Sequence, residues 1–223
     1  MKVVLFGVSK ISEIVYSYIK DTKTFEIAAF CVDKEYLIER EKFGLPVVAF
    51  DDVERLFPPS EYGMLIAIGY HKMNAVRTQK CRDAKEKGYR LVSYIHPQAD
   101  IASTASIGEN CIILNNVSVE PYVKIGNNVC LYCNSTVAHH SVVKDNVWVT
   151  SGTVIGGNSE VGENCFLGIN STIGHNIKIG RQNFIGAGAI VTIDTADKSV
   201  FIIPDTPKYR LDVDRFMQLF KFD

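Results

Sequence analysis

Residues 101–191 read, broken into sixes, as IASTAS IGENCI ILNNVS VEPYVK IGNNVC LYCNST VAHHSV VKDNVW VTSGTV IGGNSE VGENCF LGINST IGHNIK IGRQNF IGAGAI V, and every group begins with an aliphatic residue. Stepping by six from Ile101 through Ile107, Ile113 and Val119 to Ile185 and Val191 gives sixteen positions, all Ile, Val or Leu. Neither the 3.6-residue period of a helix nor the two-residue period of a strand produces this ladder. A hexapeptide repeat does, with three hexads closing one triangular coil of a parallel β-helix, so the run predicts about five coils.

The other columns agree. One residue after the aliphatic stand glycines (Gly108, Gly126, Gly156, Gly162, Gly168, Gly174, Gly180, Gly186), and three after it asparagines such as Asn110, Asn128, Asn146 and Asn164. Both are expected to serve corners, where Gly and Asn tolerate conformations that β-branched residues resist, φ > 0 included. The fourth column is small or β-branched (Cys111, Val117, Val129, Thr153, Ser159, Ala189) and can share a narrow interior. Each buried Ile or Val contributes roughly 1.5–3 kcal/mol, and stacked coils join these into one core.

Working outward, residues 1–97 change period. The runs KVVLFG (2–7), EIAAFCV (26–32) and GMLIAIG (63–69) read as buried strands, with residues 46–50 and 90–96 as two more. Helical spacing appears at Ile11, Ile14, Val15, Tyr18 and Ile19, and again in a polar segment over 72–87. Strands alternating with helices predict an α/β, Rossmann-like unit with a parallel sheet and a ligand crevice beyond the strands' carboxyl ends. Three loops should converge there: Gly7-Val8-Ser9-Lys10, Cys31-Val32-Asp33-Lys34 and Ile68-Gly69-Tyr70-His71. The first has a single glycine where a dinucleotide fingerprint wants G-x-G-x-x-G. A helix start there still offers N–H groups to one phosphate, with Ser9 and Lys10 as added donors, and Asp33 can accept from a sugar hydroxyl or a base.

These readings divide the chain into 1–97, 98–195 and 196–223, the last a short strand and an amphipathic segment (209–222) expected to cap the open coil. The 223 residues are 47% hydrophobic and 22% charged with net charge −1, and no basic run marks a nucleic-acid surface. No 18-residue apolar stretch appears, and residues 1–9 read as strand and turn rather than a signal peptide, so a cytoplasmic protein without a membrane partner is expected. Cys130 and Cys133 form a lone CxxC, read as packing rather than as a metal site.

Chemistry on such a scaffold is sought where the column rules break. The column two after the aliphatic stacks Pro121, His139, Gly157 and His175 along one corner, 18 residues apart. Imidazole titrates near neutral pH and suits a general base. His139 and His175 are two coils apart, roughly 10 Å at the strand spacing, and are not expected to share a metal within one chain. His71, His96 and His175 read as solvated corner residues.

At this point the chain resembles a family. The hexads, residues 125–129 leading to His139, the segment Cys165-Phe166-Leu167-Gly168-Ile169-Asn170-Ser171 and Ile185-Gly186-Ala187-Gly188-Ala189 look like the hexapeptide-repeat acyltransferases of left-handed β-helix fold. With the N-terminal α/β unit they are similar to the NeuD/PglD-like enzymes, which acetylate nucleotide-linked amino sugars in bacterial surface-glycan synthesis. The resemblance implies a homotrimer using acetyl-CoA as acyl donor and no metal. It implies His139 as general base, Trp148, Gly157, Ile169 and Ala187 along the coenzyme channel, and Gly7, Ser9, Lys10, Asp33, Lys34, Gly69 and Tyr70 on the nucleotide sugar. An N–H near Gly157 would stabilise the oxyanion. The chain departs from the family beside the base, where Ala138 and His140 flank His139 and an acidic neighbour is usual. Glu120 could substitute, or His140 could share the role. Alternatives are a sugar O-acyltransferase, a transferase of another acyl group, a metal-dependent hydratase built on His139, His140 and His175, and a silent binding trimer.

Overall fold

The alternating runs fold as a sheet flanked by helices. In the computed structural model, which describes residues 1–220, they form β1 (Lys2–Phe6), α1 (Lys10–Thr22), β2 (Glu26–Val32), β3 (Glu41–Lys42), β4 (Leu45–Ala49), α2 (Val53–Leu56), β5 (Tyr62–Ile66) and α3 (Ala75–Glu86). The strand order is β3-β4-β2-β1-β5. All pairs are parallel except β3 with β4. The expected parallel sheet is therefore mixed at one edge. The cause is local: Phe43 and Gly44 both take positive φ (54° and 77°), the two-residue turn whose twist suits a hairpin.

The hexad run builds a left-handed parallel β-helix. Each two-residue strand pairs with the strand 18 residues on, as in Thr136↔Val154 and Val142↔Glu160. The three faces carry six, five and seven strands, starting from Asp100–Ile101, Ser106–Ile107 and Tyr94–Ile95 respectively. The ladder's aliphatics and the fourth column fill the interior, with Val137, Val143, Val149, Ile155, Val161 and Leu167 all fully buried. The third-column residues take φ of 53° to 62° at Asn110, Asn128, Asn146 and Asn164, as expected of left-handed corners. The first-column glycines are there for another reason. Their φ is not left-handed; a Cβ on Gly156 or Gly162 would lie 2.7–2.8 Å from backbone atoms of the next coil. Close stacking, not turn conformation, demands glycine there.

The third face is covered by the N-terminal unit. Ile112, Cys130, Trp148 and Phe166 join Leu5, Val15, Ile19 and Leu65 in one buried apolar cluster. Residues 90–96 serve both halves: Val92 N–H donates to Met64 of β5, and Tyr94 N–H donates to Cys111 of the β-helix. Arg77 of α3 is fully buried here. Its guanidinium donates to the carbonyls of Asn128 (2.9 Å) and Asn110 (3.0 Å) and lies 5.6 Å from the Trp148 ring. The Asn110 side chain accepts the Ile66 N–H at 2.8 Å, so β5 is tied to the Asn110 coil while Arg77 ties α3 to two coils.

At the far end Val200–Phe201 extends the third face. Residues 195–198 cross the last coil, with Thr195 N–H donating to Lys178 and Lys198 N–H to Arg181. The expected amphipathic tail contains one short helix, α4 (Val213–Met217), capped by Asp212, which accepts from Arg215 N–H at 2.9 Å. It does not seat on the open coil. Val213, Met217 and Leu219 are 70%, 48% and 62% exposed. The five residues of α4 follow a stretch without regular structure that contains Pro204 and Pro207. The end of the expected cap, including Phe222, lies outside the described residues. Among the described residues no helix is long and apolar enough to cross a membrane.

Candidate active site

The corner between the first and second faces carries the residues that break the pattern. His139 is held by its backbone, whose N–H donates to the Glu120 carboxylate at 2.8 Å. Glu120 therefore supports the loop and does not touch the imidazole. The ring instead meets His140, Nδ1 to Nδ1 at 3.2 Å, with ring planes at 83°. One nitrogen donates and the other accepts. With His139 donating, its Nε2 keeps a lone pair; that is the state a general base needs. His140 occupies a left-handed corner (φ 60°) of the kind that Asn fills at most corners of the β-helix, and its ring packs tilted against Tyr122 at 4.8 Å. His140, and not a carboxylate, is thus the side chain in contact with the His139 Nδ1.

Gly157, one coil along, opens space for the His139 ring. A Cβ there would lie 2.8 Å from both Cε1 and Nε2 of His139. Among the described residues the Gly157 N–H has no acceptor, whereas the Asn158 N–H beside it donates to the His139 carbonyl at 2.8 Å. With no side chain between them, His139 and His175 approach to 6.4 Å between ring centroids. The expected 10 Å separation holds for the backbone spacing and fails for the rings, which lean across the empty position.

The second site is the crevice of the N-terminal unit, a cleft of about 580 Å³ lined by Gly7, Ser9, Asp33, Gly69, Tyr70 and His71, among others. The three loops converge as expected. Gly7 has φ +123° and sits where a Cβ would strike the Ala67 carbonyl at 2.8 Å, so the β1–α1 turn requires glycine. Ser9 is the N-cap of α1 with its hydroxyl unused for capping, and Lys10 and Lys34 are exposed outside the lining. Asp33 is engaged: its Oδ1 accepts from Lys80 at 2.7 Å, leaving Oδ2 for a ligand. Burial alone would lower the Lys80 ammonium, but bonds to Asp33 and Asp83 outweigh it and hold it above its ordinary value. His71 lines the cleft with the rest of its loop, and Lys80 and Tyr36 join it without any signal in the sequence, since a lysine in a polar helix carries none of its own.

The remaining residues divide. Ile169 and Ala187 are exposed on the edge between the third and first faces, whereas Gly157 lies with His139 on the edge between first and second. Trp148 departs from its expected place on an open channel. It is 2% exposed, packed against Tyr70, Tyr132 and Arg77 at the domain junction, because its position on the third face points under the N-terminal unit. His96 is a packing residue, its Nδ1 accepting from the Gln98 N–H and its ring edge-on to Tyr18. Cys130 is buried in the junction and Cys133 lies 3.0 Å from Asn115 Oδ1. The crevice opens beside the third face, where Tyr70 packs on Phe166 at 4.5 Å; His139 stands on the opposite edge of the prism. Within one chain the two sites face away from each other.

Residues 93–203 match a family model described as the GMPPB C-terminal domain. No curated protein matches the sequence. Among solved structures, the acetyltransferase domain of PglB from Neisseria gonorrhoeae superposes with a TM-score of 0.80 at 22% identity, covering 89% of this chain and 95% of that one. PerB from Caulobacter crescentus, in complex with CoA and GDP-perosamine, gives 0.80 at 23% identity over 90% and 93%. WeeI from Acinetobacter baumannii gives 0.79 at 21% identity over 90% and 96%. Across nearly its whole length the chain shares their fold, a Rossmann-like unit joined to a left-handed hexapeptide-repeat β-helix.

Proposed function

We propose that the chain is an acetyl-CoA-dependent N-acetyltransferase acting on the amino group of a nucleotide-linked amino sugar, in bacterial surface-glycan synthesis, as a cytoplasmic homotrimer. The observation that carries this reading is the His139 imidazole packed against Gly157, whose N–H is unused among the described residues. A base and an oxyanion donor are what acyl transfer from a thioester needs. The amine attacks the thioester carbonyl, His139 Nε2 takes the proton that nitrogen sheds, and the Gly157 N–H donates to the developing oxyanion. Collapse expels the thiolate, which takes the proton from the imidazolium. A positioned base contributes about 10²–10⁴-fold and an oxyanion donor about 10²–10³-fold.

The crevice holds the nucleotide-linked sugar, the start of α1 and Ser9 meeting a phosphate and Asp33 Oδ2 a hydroxyl or base. Gly7, Lys10, Lys34, Gly69 and Tyr70 complete that site, and Ile169 and Ala187 line the coenzyme groove. The opposed placement of crevice and His139 supports an active site shared between copies, and a closed threefold ring is the arrangement that joins them without leaving an open edge. Solved proteins of this fold that hold CoA with GDP-perosamine, or acetyl-CoA, support the same reading.

Thiol release from acetyl-CoA, measured against nucleotide-linked 3- and 4-amino sugars with their hydroxy counterparts as competitors, tests it. Turnover with one amino sugar that falls by about 10²–10⁴ in His139→Ala is expected. Release with hydroxy sugars alone, or undiminished activity in His139→Ala, overturns the assignment.

A further inference from the structure

His175 belongs to no part of the mechanism above, yet it is the residue that the empty Gly157 position brings to His139. Both rings are exposed at one corner, with centroids 6.4 Å apart. A nitrogen hydrogen-bonded at about 2.9 Å to a ring nitrogen lies about 4 Å from that ring's centroid. Two centroids 6.4 Å apart then subtend about 106° at the shared nitrogen, close to the tetrahedral angle of about 109°. With one nitrogen of each ring turned toward that point, one ammonium group donates to both rings at once. A hydroxyl, with a single O–H, cannot.

We propose that His175 is a second catalytic imidazole that takes the first proton from the acceptor's ammonium group. The proposal rests on the acetyltransferase reading and extends it to the ionisation state of the acceptor. An amine of pKa about 8 is about nine-tenths ammonium at pH 7 and not nucleophilic. Forming a neutral amide from an ammonium requires two protons to leave nitrogen. The first passes to His175 Nδ1 or Nε2 and on to solvent, which the exposed ring touches. The nitrogen lone pair then forms the C–N bond, His139 takes the second proton, the C–S bond breaks, and that proton ends on the thiolate sulfur. One proton is released per turnover, as the overall reaction demands. The titratable groups facing His175 are His139 and, beyond it, His140; Glu120 is committed to the His139 N–H, and Asp194 on the following coil accepts from the Lys178 N–H at 2.8 Å.

The test is kcat/KM for the amino sugar from pH 6.5 to 9.5 in wild type, His175→Asn and His175→Gln. At pH 7 the variants should be about tenfold slower, the ratio set by the scarcity of free amine, and the deficit should close to near one at pH 9. The KM for acetyl-CoA should not move. A deficit of equal size at every pH, in both variants, overturns the proposal and leaves His175 a structural residue. Full activity of both variants at pH 7 also overturns it while leaving the acetyltransferase reading intact. Wild type that turns over no amino sugar overturns both.

Discussion

Replacing Gly157 with alanine separates the chemistry of this corner from its stability. Its φ is not left-handed, so the backbone accepts alanine, and loss of unfolded-state freedom contributes about 0.4–1 kcal/mol of stability. The new Cβ would stand 2.8 Å from His139 Cε1 and Nε2 and 3.3 Å from Cδ2, where carbon contacts prefer about 3.5–4.0 Å. The exposed ring must swing away by about 1 Å, losing its place against Gly157 and its alignment with His140. A displacement of that size costs on the order of 10²-fold in rate, equivalent to about 2.7 kcal/mol of transition-state stabilisation. Steady-state thiol release should show kcat/KM lower by about that factor, with the thermal midpoint unchanged or slightly raised. Gly168→Ala is the contrasting control. There a Cβ meets backbone atoms, Gly186 C at 2.6 Å and Ile185 O at 2.8 Å, which cannot swing aside, so stability should fall. Gly157→Ala with kcat/KM within a few-fold of wild type would refute the placement of His139 at the reacting centre.

Three further outcomes are expected. Arg77→Met keeps the buried stem but leaves the Asn110 and Asn128 carbonyls without their donor, at about 1–3 kcal/mol each, and should lower the urea midpoint by the corresponding amount; an unchanged midpoint would show that water replaces the guanidinium. His140→Asn, which suits the left-handed corner, should fold normally and slow turnover by about tenfold or more through the loss of the His139 alignment, whereas His140→Ala should add a stability loss of about 1 kcal/mol; equal melting curves for the two would contradict the corner assignment. The Tyr18 phenol is pushed up to about 12 from 10.0 by its hydrogen bond with Cys133, with burial adding to it. A raised pKa means a contribution fully present below pH 10 and lost as pH climbs towards 12, so denaturation midpoints in that window should fall more steeply for wild type than for Tyr18→Phe.

How much of this was legible in the chain depends on how local the cause is. The sixfold ladder is a direct imprint of the coil, and the 18-residue pairing follows from it without further information. The Phe43-Gly44 turn is hard to read from the chain because its first residue is not one of the usual left-handed types, yet it holds φ 54°. The meaning of the first glycine column was misread for a related reason. Sequence reveals that a side chain is unwelcome but not whether conformation or a neighbouring backbone forbids it; at Gly156 and Gly162 the neighbour does. Trp148 could not be assigned to a face buried by another unit, because its surroundings come from residues more than seventy positions earlier, such as Tyr70 and Arg77.

The site divides along the same line. His139 stands out in the sequence because it breaks a column, and the loops of the crevice because they end strands. What the sequence conceals is the consequence of an absence. Gly157 in the second column looks like one more corner glycine, yet its missing side chain lets two imidazoles that the backbone holds two coils apart come within 6.4 Å. Among the described residues the N–H of the same glycine has no acceptor. In a stacked scaffold each coil fixes the reach of the side chains above and below, so function can be written by deleting a side chain as readily as by adding one. For this chain the empty position at Gly157 is what lets the two rings share one corner, and the proposed preference for an ammonium acceptor over a hydroxyl rests on that space.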